Sequence, residues 1–201
     1  MPATGWLIAI SKSGMFQIRI HGRGGQGVVS AAEMLSVAAF LEGQYAQAFP
    51  SFGSERNGAP VMSFCRIDDK PIRLREPVTE PDALIIQDPT LLHLAGLFDG
   101  LSPNGFVLIN ASELVELPCP PEHRLAIPAT ELALEYVRRP VPNAALLGGF
   151  AALTGKLQLE SIFAAIRGKF SGEVGERNVA AARAAWDIAQ EIKAGAHVAA
   201  D

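Results

Sequence analysis

Four glycines fall within six positions near the amino end of the chain, and such a cluster favours the binding of an anion. They are Gly22, Gly24, Gly25 and Gly27, and Arg23 lies among them. Glycine has no Cβ and tolerates positive φ, so the backbone can approach a bound group closely. The N–H groups of a helix that begins after the turn point at the ligand, and the helix dipole attracts negative charge. We therefore expect a phosphate-bearing ligand, with Arg23 as a side-chain donor.

The same glycines match the G-x-G-x-x-G fingerprint of dinucleotide-binding folds, from Gly22 to Gly27. A nicotinamide or flavin site also needs an acidic residue at the end of the second strand. That strand is predicted at residues 45–49 and carries Gln47 instead. Two alternatives stay open from these residues: an NAD(P)-binding Rossmann oxidoreductase, and a structural subunit whose turn packs against a neighbour and binds no ligand.

The turn lies between a strand and a helix. Residues 17–21 alternate polar and apolar side chains, which is typical of a strand, and residues 28–41 are almost continuously apolar, which predicts a buried helix. After the second strand comes a loop, residues 50–60, that is dense in Gly, Ser, Pro and Asn. Arg56 and Asn57 are the side chains of this loop most able to reach an anion at the turn.

The remaining elements predict an α/β protein, with a Rossmann-like three-layer domain, a mixed and mostly parallel sheet, and a helical C-terminal third. Strands at 61–67 and 71–74 flank a turn and predict a hairpin, which is why the sheet is expected to be mixed. Further strands are predicted at 83–86, 106–110 and 124–127, and helices at 91–97, 130–137, 143–155, 159–166 and 174–192. In the last helix, one buried stripe is expected at Val174, Ala181, Ala185, Ile188 and Ile192.

Composition excludes several classes of function. The 201 residues suit a single domain over residues 15–201, preceded by an extension at residues 1–14. Hydrophobic residues make up 49% and charged residues 19%, with a net charge of −4, so no basic field recruits nucleic acid. We expect no catalytic residues in this chain, since no set of nucleophile, base and oxyanion donors is present. A subunit that binds a ligand fits better than a free-standing enzyme.

No metal site and no membrane span are expected. Cys65 and Cys119 are far apart, and the four histidines have no ligand spacing. The apolar run at residues 6–10 is too short for a signal sequence or a membrane span. We therefore expect a cytoplasmic protein with reduced thiols.

Two stretches resemble a known family. Residues 18–35, IRIHGRGGQGVVSAAEML, and residues 45–60, YAQAFPSFGSERNGAP, are similar to the gamma subunit of 2-oxoacid (pyruvate):ferredoxin oxidoreductases, in the order and spacing that this family shows. The resemblance covers roughly residues 15–193. It implies a non-autonomous subunit of a complex that oxidatively decarboxylates a 2-oxoacid to acyl-CoA. The complex acts on the oxo group of its donor. Its electron acceptor is ferredoxin or, by way of a flavoprotein, NAD.

The resemblance also implies how the work is divided in the complex. Coenzyme A binds at this subunit, whereas thiamine diphosphate and iron–sulfur clusters are held by partner subunits of alpha, beta and ferredoxin-like delta type. The expected binding residues are those of the turn, the loop and one asparagine that opens a later helix: Gly22, Arg23, Gly24, Gly25, Gln26, Gly27, Arg56, Asn57 and Asn143.

Overall fold

The computed structural model describes residues 14–51 and 58–198, with side chains to residue 195. The strands are β1 (Phe16–Arg23), β2 (Tyr45–Pro50), β3 (Pro60–Asp68), β4 (Ala83–Ile86), β5 (Phe106–Asn110) and β6 (Arg124–Ile127). The α-helices are α1 (Val28–Leu41), α2 (Ala129–Leu132), α3 (Asn143–Thr154), α4 (Leu159–Lys169) and α5 (Gly172–Val198). Two 3-10 helices, Pro89–His93 and Pro121–His123, and a π-helical segment, Ala133–Val137, complete the described part.

The six strands form one mixed sheet in the order β2-β3-β1-β4-β5-β6. The pairs β1–β4, β4–β5 and β5–β6 are parallel, while β3 runs antiparallel to both β1 and β2. The α/β prediction, with its mixed and mostly parallel sheet, is confirmed. Strands β4, β5 and β6 begin and end where the apolar runs predicted, because strands buried on both faces are continuous apolar segments.

The predicted hairpin of 61–67 with 71–74 is wrong. Strand β3 pairs with β1 from Phe16 opposite Ile67 to Arg23 opposite Pro60, and with β2 on its other side. Residues 71–74 form no strand. The turn signal at Asp68 to Lys70 is real, since Lys70 N–H donates to the Asp68 carboxylate at 3.2 Å. This turn ends β3, but the residues that directly follow it do not join the sheet.

One face of the sheet carries the main core. Apolar side chains of α1, α3, α4 and α5 form one buried cluster there with Ile18, Ile20 and Ile85. Helix α1 is less buried than its composition predicts, since Val37, Phe40 and Leu41 are 45%, 74% and 54% exposed. A helix on a sheet buries only one side, so its opposite side stays at the surface.

The opposite face carries a smaller core of Leu84, Ile86, Val107, Ile109 and Leu97. The predicted helix at 91–97 is only the 3-10 helix Pro89–His93, whose first turn is capped by Asp88, which accepts from the Thr90 N–H at 2.9 Å. Irregular chain through Asp99 follows it across the sheet. These segments make the second covering layer.

The C-terminal third is helical as predicted, and α3 and α5 approach each other closely. A Cβ on Gly148 of α3 would lie 1.9 Å from the Ala182 backbone oxygen of α5. Ala181 and Ala185 are buried, but Val174 and Ile192 are 51% and 47% exposed, so the predicted stripe is wrong at its two ends. In the described residues, no helix is long and apolar enough to cross a membrane.

The predicted helix at 130–137 divides into two shorter segments. Helix α2 begins at Ala129, ahead of Thr130, and passes directly into the π-helical segment. The Thr130 N–H donates to the Asn110 side chain at 3.1 Å. The segment ends at Arg138 with φ 65. Asn110, at the end of β5, therefore anchors the start of α2.

Candidate functional site

The glycine turn lies at the carboxyl end of β1, in the interior of the sheet. From β1 the chain passes through α1 to β2 and β3, which lie on one side of β1, whereas β4 lies on the other side of β1. Ligands of open α/β sheets bind outside the carboxyl ends of the strands at such a reversal of strand order. The position of the turn is therefore that of a binding crevice.

The strand before the turn is longer than predicted. Pairing with β3 continues through Gly22 opposite Val61 and Arg23 opposite Pro60, and the Gly24 N–H donates to the Ala59 oxygen at 2.9 Å. The turn itself is therefore Gly24 to Gly27. Gly22 is buried, and a Cβ there would lie 2.6 Å from a Val28 side-chain carbon and 3.0 Å from Gln26 Oε1.

The backbone of the turn is shaped for close approach. Gly25 and Gly27 have φ of 96 and 74, a region that residues with a Cβ rarely adopt. Gly25 is exposed, and no atom lies within 4 Å of where its Cβ would be. Gly27 precedes α1, and no side chain caps the start of this helix. The first helix N–H that donates to a backbone oxygen of the turn is that of Ala31, which donates to the Gly27 oxygen at 2.9 Å. The N–H groups at the start of α1 are therefore available to an anion.

Gln26 closes the turn with its side chain. Its Oε1 accepts from the Arg23 N–H at 2.8 Å, and its Nε2 donates to Asp88 Oδ2 at 2.9 Å. Because both ends of the amide are used, Gln26 holds the turn against the chain segment that follows β4. The side chain of this predicted binding residue therefore supports the turn in this structure.

Arg23 is held by the same segment. Its guanidinium lies 3.2 Å from Asp88 Oδ2, donates to Thr90 Oγ1 at 2.8 Å and donates to the Gly58 oxygen at 3.0 Å. Burial opposes ionisation of Asp88, but hydrogen bonds from Thr90 and Gln26 and the charge of Arg23 outweigh it and lower the pKa of the carboxyl. A negative charge thus lies beside the turn, and it was not predicted from the sequence.

Asn143 reaches the turn from a distant part of the chain. Its Nδ2 donates to the Gly27 oxygen at 3.3 Å, and its Oδ1 accepts from the Ala144 N–H at 2.8 Å. The side chain is almost fully buried. The structure therefore brings Asn143 together with the glycine turn, as a packing contact that joins the starts of α1 and α3.

Gln87 is a buried polar residue of the site that the sequence analysis missed. It follows β4, and its backbone forms two hydrogen bonds. The backbone N–H donates to the His21 backbone oxygen at 2.7 Å, and the backbone oxygen accepts from Asn110 Nδ2 at 2.8 Å. Its side chain is fully buried, and neither amide atom has a partner among the described residues. Only its position directly after a buried apolar run could have drawn attention to it.

Arg56 and Asn57 lie outside the described residues, so the predicted contribution of the loop stays a prediction. Within residues 14–51 and 58–198, no group of three His, Cys, Asp or Glu side chains is placed to hold a metal ion. Cys65 is buried and Cys119 half-buried, and both are free thiols. Burial raises the pKa of the Cys65 thiol to about 12, which leaves it unreactive.

Comparisons with known proteins agree on one family. Residues 17–188 match the pyruvate ferredoxin/flavodoxin oxidoreductase family. The chain is 46% identical to the pyruvate/ketoisovalerate oxidoreductases common subunit gamma of Pyrococcus abyssi, over 88% of this chain and 98% of that protein. It resembles the crystal structure of the pyruvate oxidoreductase subunit PORC from Thermotoga maritima with a TM-score of 0.76 and 36% identity, over 86% of this chain and 96% of that one.

A larger protein shares the fold. The 2-oxoglutarate:ferredoxin oxidoreductase from Magnetococcus marinus, with 2-oxoglutarate, coenzyme A and succinyl-CoA bound, matches with a TM-score of 0.65. Identity is 20%, and the match covers 88% of this chain but 30% of that one. At this identity the likeness concerns the fold alone.

Proposed function

The chain belongs to the pyruvate ferredoxin/flavodoxin oxidoreductase family as a gamma-type subunit, and we propose that it binds coenzyme A for the complex. The observation that carries the proposal is the exposed turn at Gly25, whose small residues leave the start of α1 open at the carboxyl end of β1. Coenzyme A presents a diphosphate and a 3′-phosphate, which are the groups that such a helix start binds.

Thiamine diphosphate and the iron–sulfur clusters are proposed to lie on alpha, beta and delta-type partners. Together these cofactors supply the decarboxylation of a 2-oxoacid and the transfer of its electrons to ferredoxin or a flavoprotein. The free thiols agree with a reducing, cytoplasmic compartment.

The proposed task of this chain is to hold the nucleotide end of coenzyme A, so that the thiol at the other end reaches the acyl group. Binding energy from a remote part of a substrate can be used to orient its reacting atom. Such positioning offsets part of the entropy cost of bringing two molecules together. Backbone N–H groups of the turn and of α1, with the Arg23 guanidinium, are the donors that this chain offers to the phosphates.

Calorimetric titration of the full-length chain and of the assembled complex tests the proposal. Coenzyme A binding supports it, NAD binding in its place supports the dinucleotide alternative, and no binding of either supports a purely structural turn. The variant pair Gly25→Ala and Gly25→Glu places the expected site. Both share the cost of positive φ, but only Glu adds a negative charge and bulk at the amides.

Gly25→Glu is expected to weaken coenzyme A binding more than tenfold relative to Gly25→Ala, while both variants still assemble with the partner subunits. Equal affinities in the two variants would contradict a phosphate site at this turn. Loss of assembly in Gly25→Glu alone would instead identify the turn as a contact between subunits.

A further inference from the structure

A cleft of about 270 Å³ lies beside the glycine turn, on the face of the sheet away from α1. One wall is formed by Pro60, Val61 and Met62 of β3, and the other by Leu94 and Leu97 after the first 3-10 helix. His21 of β1 lies at its base. Met62 and Leu94 are 37% and 38% exposed, so the apolar side chains that line the cleft are accessible.

The wall that contains Leu97 is held rigidly by a buried arginine. Arg19 lies two residues before His21 on β1, and its Nη2 donates to the Leu97 oxygen at 2.8 Å and to the Asp99 oxygen at 2.9 Å. Its Nε donates to His21 Nε2 at 3.0 Å. One guanidinium therefore fixes both the irregular segment and the imidazole, which gives the cleft a preformed shape.

His21 offers the cleft a polar group of known character. Because Arg19 has no acceptor, His21 Nε2 must accept, and the ring proton of the neutral imidazole is on Nδ1. Burial, and then the charge of Arg19, lower the pKa of His21 to about 4, so the ring is neutral near pH 7. Among the described residues no acceptor pairs with Nδ1. The cleft thus combines mainly apolar walls with two polar residues, His21, which offers a neutral N–H donor, and Ser51, which follows β2.

The cleft is continuous with the turn in two ways. Strand pairing places Val61 opposite Gly22 and Pro60 opposite Arg23, so the β3 wall runs directly into the turn. The 3-10 helix Pro89–His93 supplies Leu91 to the cleft and Thr90 to the Arg23 guanidinium. A ligand whose phosphates lie at the turn can therefore place an adjoining flat group in the cleft.

We propose that this cleft binds the adenine ring of coenzyme A, between Met62 and Leu94, with His21 Nδ1 donating to a ring nitrogen. The inference rests on the proposed function and adds the subsite that selects the nucleotide. Mainly apolar walls with a few polar groups are typical of sites for small-molecule ligands. Methionine sulfur also makes favourable contacts with aromatic rings.

Size and direction favour the nucleobase over the pantetheine arm. Sites for whole drug-sized molecules have volumes of about 300–1,000 Å³, so this cleft suits a part of coenzyme A. In the proposed division of cofactors the thiol is used at a partner subunit, so the pantetheine arm extends away from this chain. The adenosine end has no such requirement.

The variant Leu94→Trp tests the subsite by filling the cleft from an accessible position. Leu114→Trp is the matched control, since Leu114 is similarly exposed, at 49%, and does not line the cleft. Affinities of the full-length chain are measured by calorimetry for coenzyme A, for adenosine 3′,5′-bisphosphate and for 4′-phosphopantetheine, which lacks the adenosine.

Leu94→Trp is expected to weaken the two adenine-containing ligands at least tenfold and to leave 4′-phosphopantetheine unchanged, while Leu114→Trp leaves all three unchanged. If wild type binds coenzyme A and Leu94→Trp binds it equally well, the adenine subsite is wrong and the proposed function stands. If wild type binds no coenzyme A, both are wrong. Equal weakening of all three ligands would place the cleft against the phosphates and also overturn the assignment.

Discussion

Asn143 Nδ2 lies 3.3 Å from the backbone oxygen of Gly27, across 116 positions of sequence. The contact joins the first residue of α3 to the residue that precedes α1. A Cβ on Gly27 would lie 2.4 Å from the same Nδ2. The glycine therefore serves two purposes, since it adopts φ 74 and leaves space for the asparagine.

Gly27→Ala is expected to destabilise the protein by more than about 2 kcal/mol, because it adds a steric clash to the strain of positive φ. Gly25→Ala carries the strain without a neighbour within 4 Å, and about 1–2 kcal/mol is expected for it. Chemical denaturation of both variants measures the difference. Equal losses of stability would show that Asn143 can move aside at little cost.

Asp88→Asn is expected to tighten coenzyme A binding several-fold. The carboxylate lies 3.2 Å from Arg23 Nε and repels an approaching phosphate, so its removal leaves the guanidinium free to pair with the ligand. Thr90→Ala removes one hydrogen-bond partner of Arg23 but retains the negative charge, and it provides the control. Calorimetric affinities at low and high salt measure the effect, and weaker binding by Asp88→Asn would show that the carboxylate supports the site.

His21 is expected to make the protein less stable as the pH falls from about 6.5 towards 4. Its pKa is lowered in the folded protein to about 4, so the unfolded chain takes up the proton first. The free energy of unfolding therefore keeps its full value above pH 6.5, and protonation of His21 lowers it by at most about 3 kcal/mol below the pKa of the folded state. Urea denaturation of wild type and His21→Gln across this pH range measures it, and parallel profiles would contradict the assignment.

Gly148→Ala is expected to separate α3 from α5 and to cost about 3 kcal/mol, since the new Cβ would lie 1.9 Å from the Ala182 oxygen. Gly168→Ala on α4 is the matched control. Gly168 is exposed with no neighbour within 4 Å, so this change is expected to stabilise by up to about 1 kcal/mol. Thermal unfolding distinguishes the two. A neutral Gly148→Ala would show that the two helices can shift without loss.

Local patterns predicted the elements well where the physical signal was itself local. The buried runs of β4, β5 and β6 and the start of α3 at Asn143 are confirmed, because apolar continuity and a preceding proline act within a few residues. The pairing of β3 was missed, because the choice among β1, β2 and residues 71–74 is a competition between distant partners. After β3, the chain contacts this strand through a side chain. Arg66 of β3 is buried and donates to the Glu76 backbone oxygen at 2.6 Å.

The sequence by itself determined the glycine turn, the helix that follows it and the resemblance to one family, because residue type alone decides where positive φ and open N–H groups are possible. Only the tertiary structure decided what surrounds that turn. Asp88 reaches it from the segment after β4 and Asn143 from the start of α3, and their effect on the site depends on distances that no local pattern contains. Charge and space at the site are therefore properties of the fold.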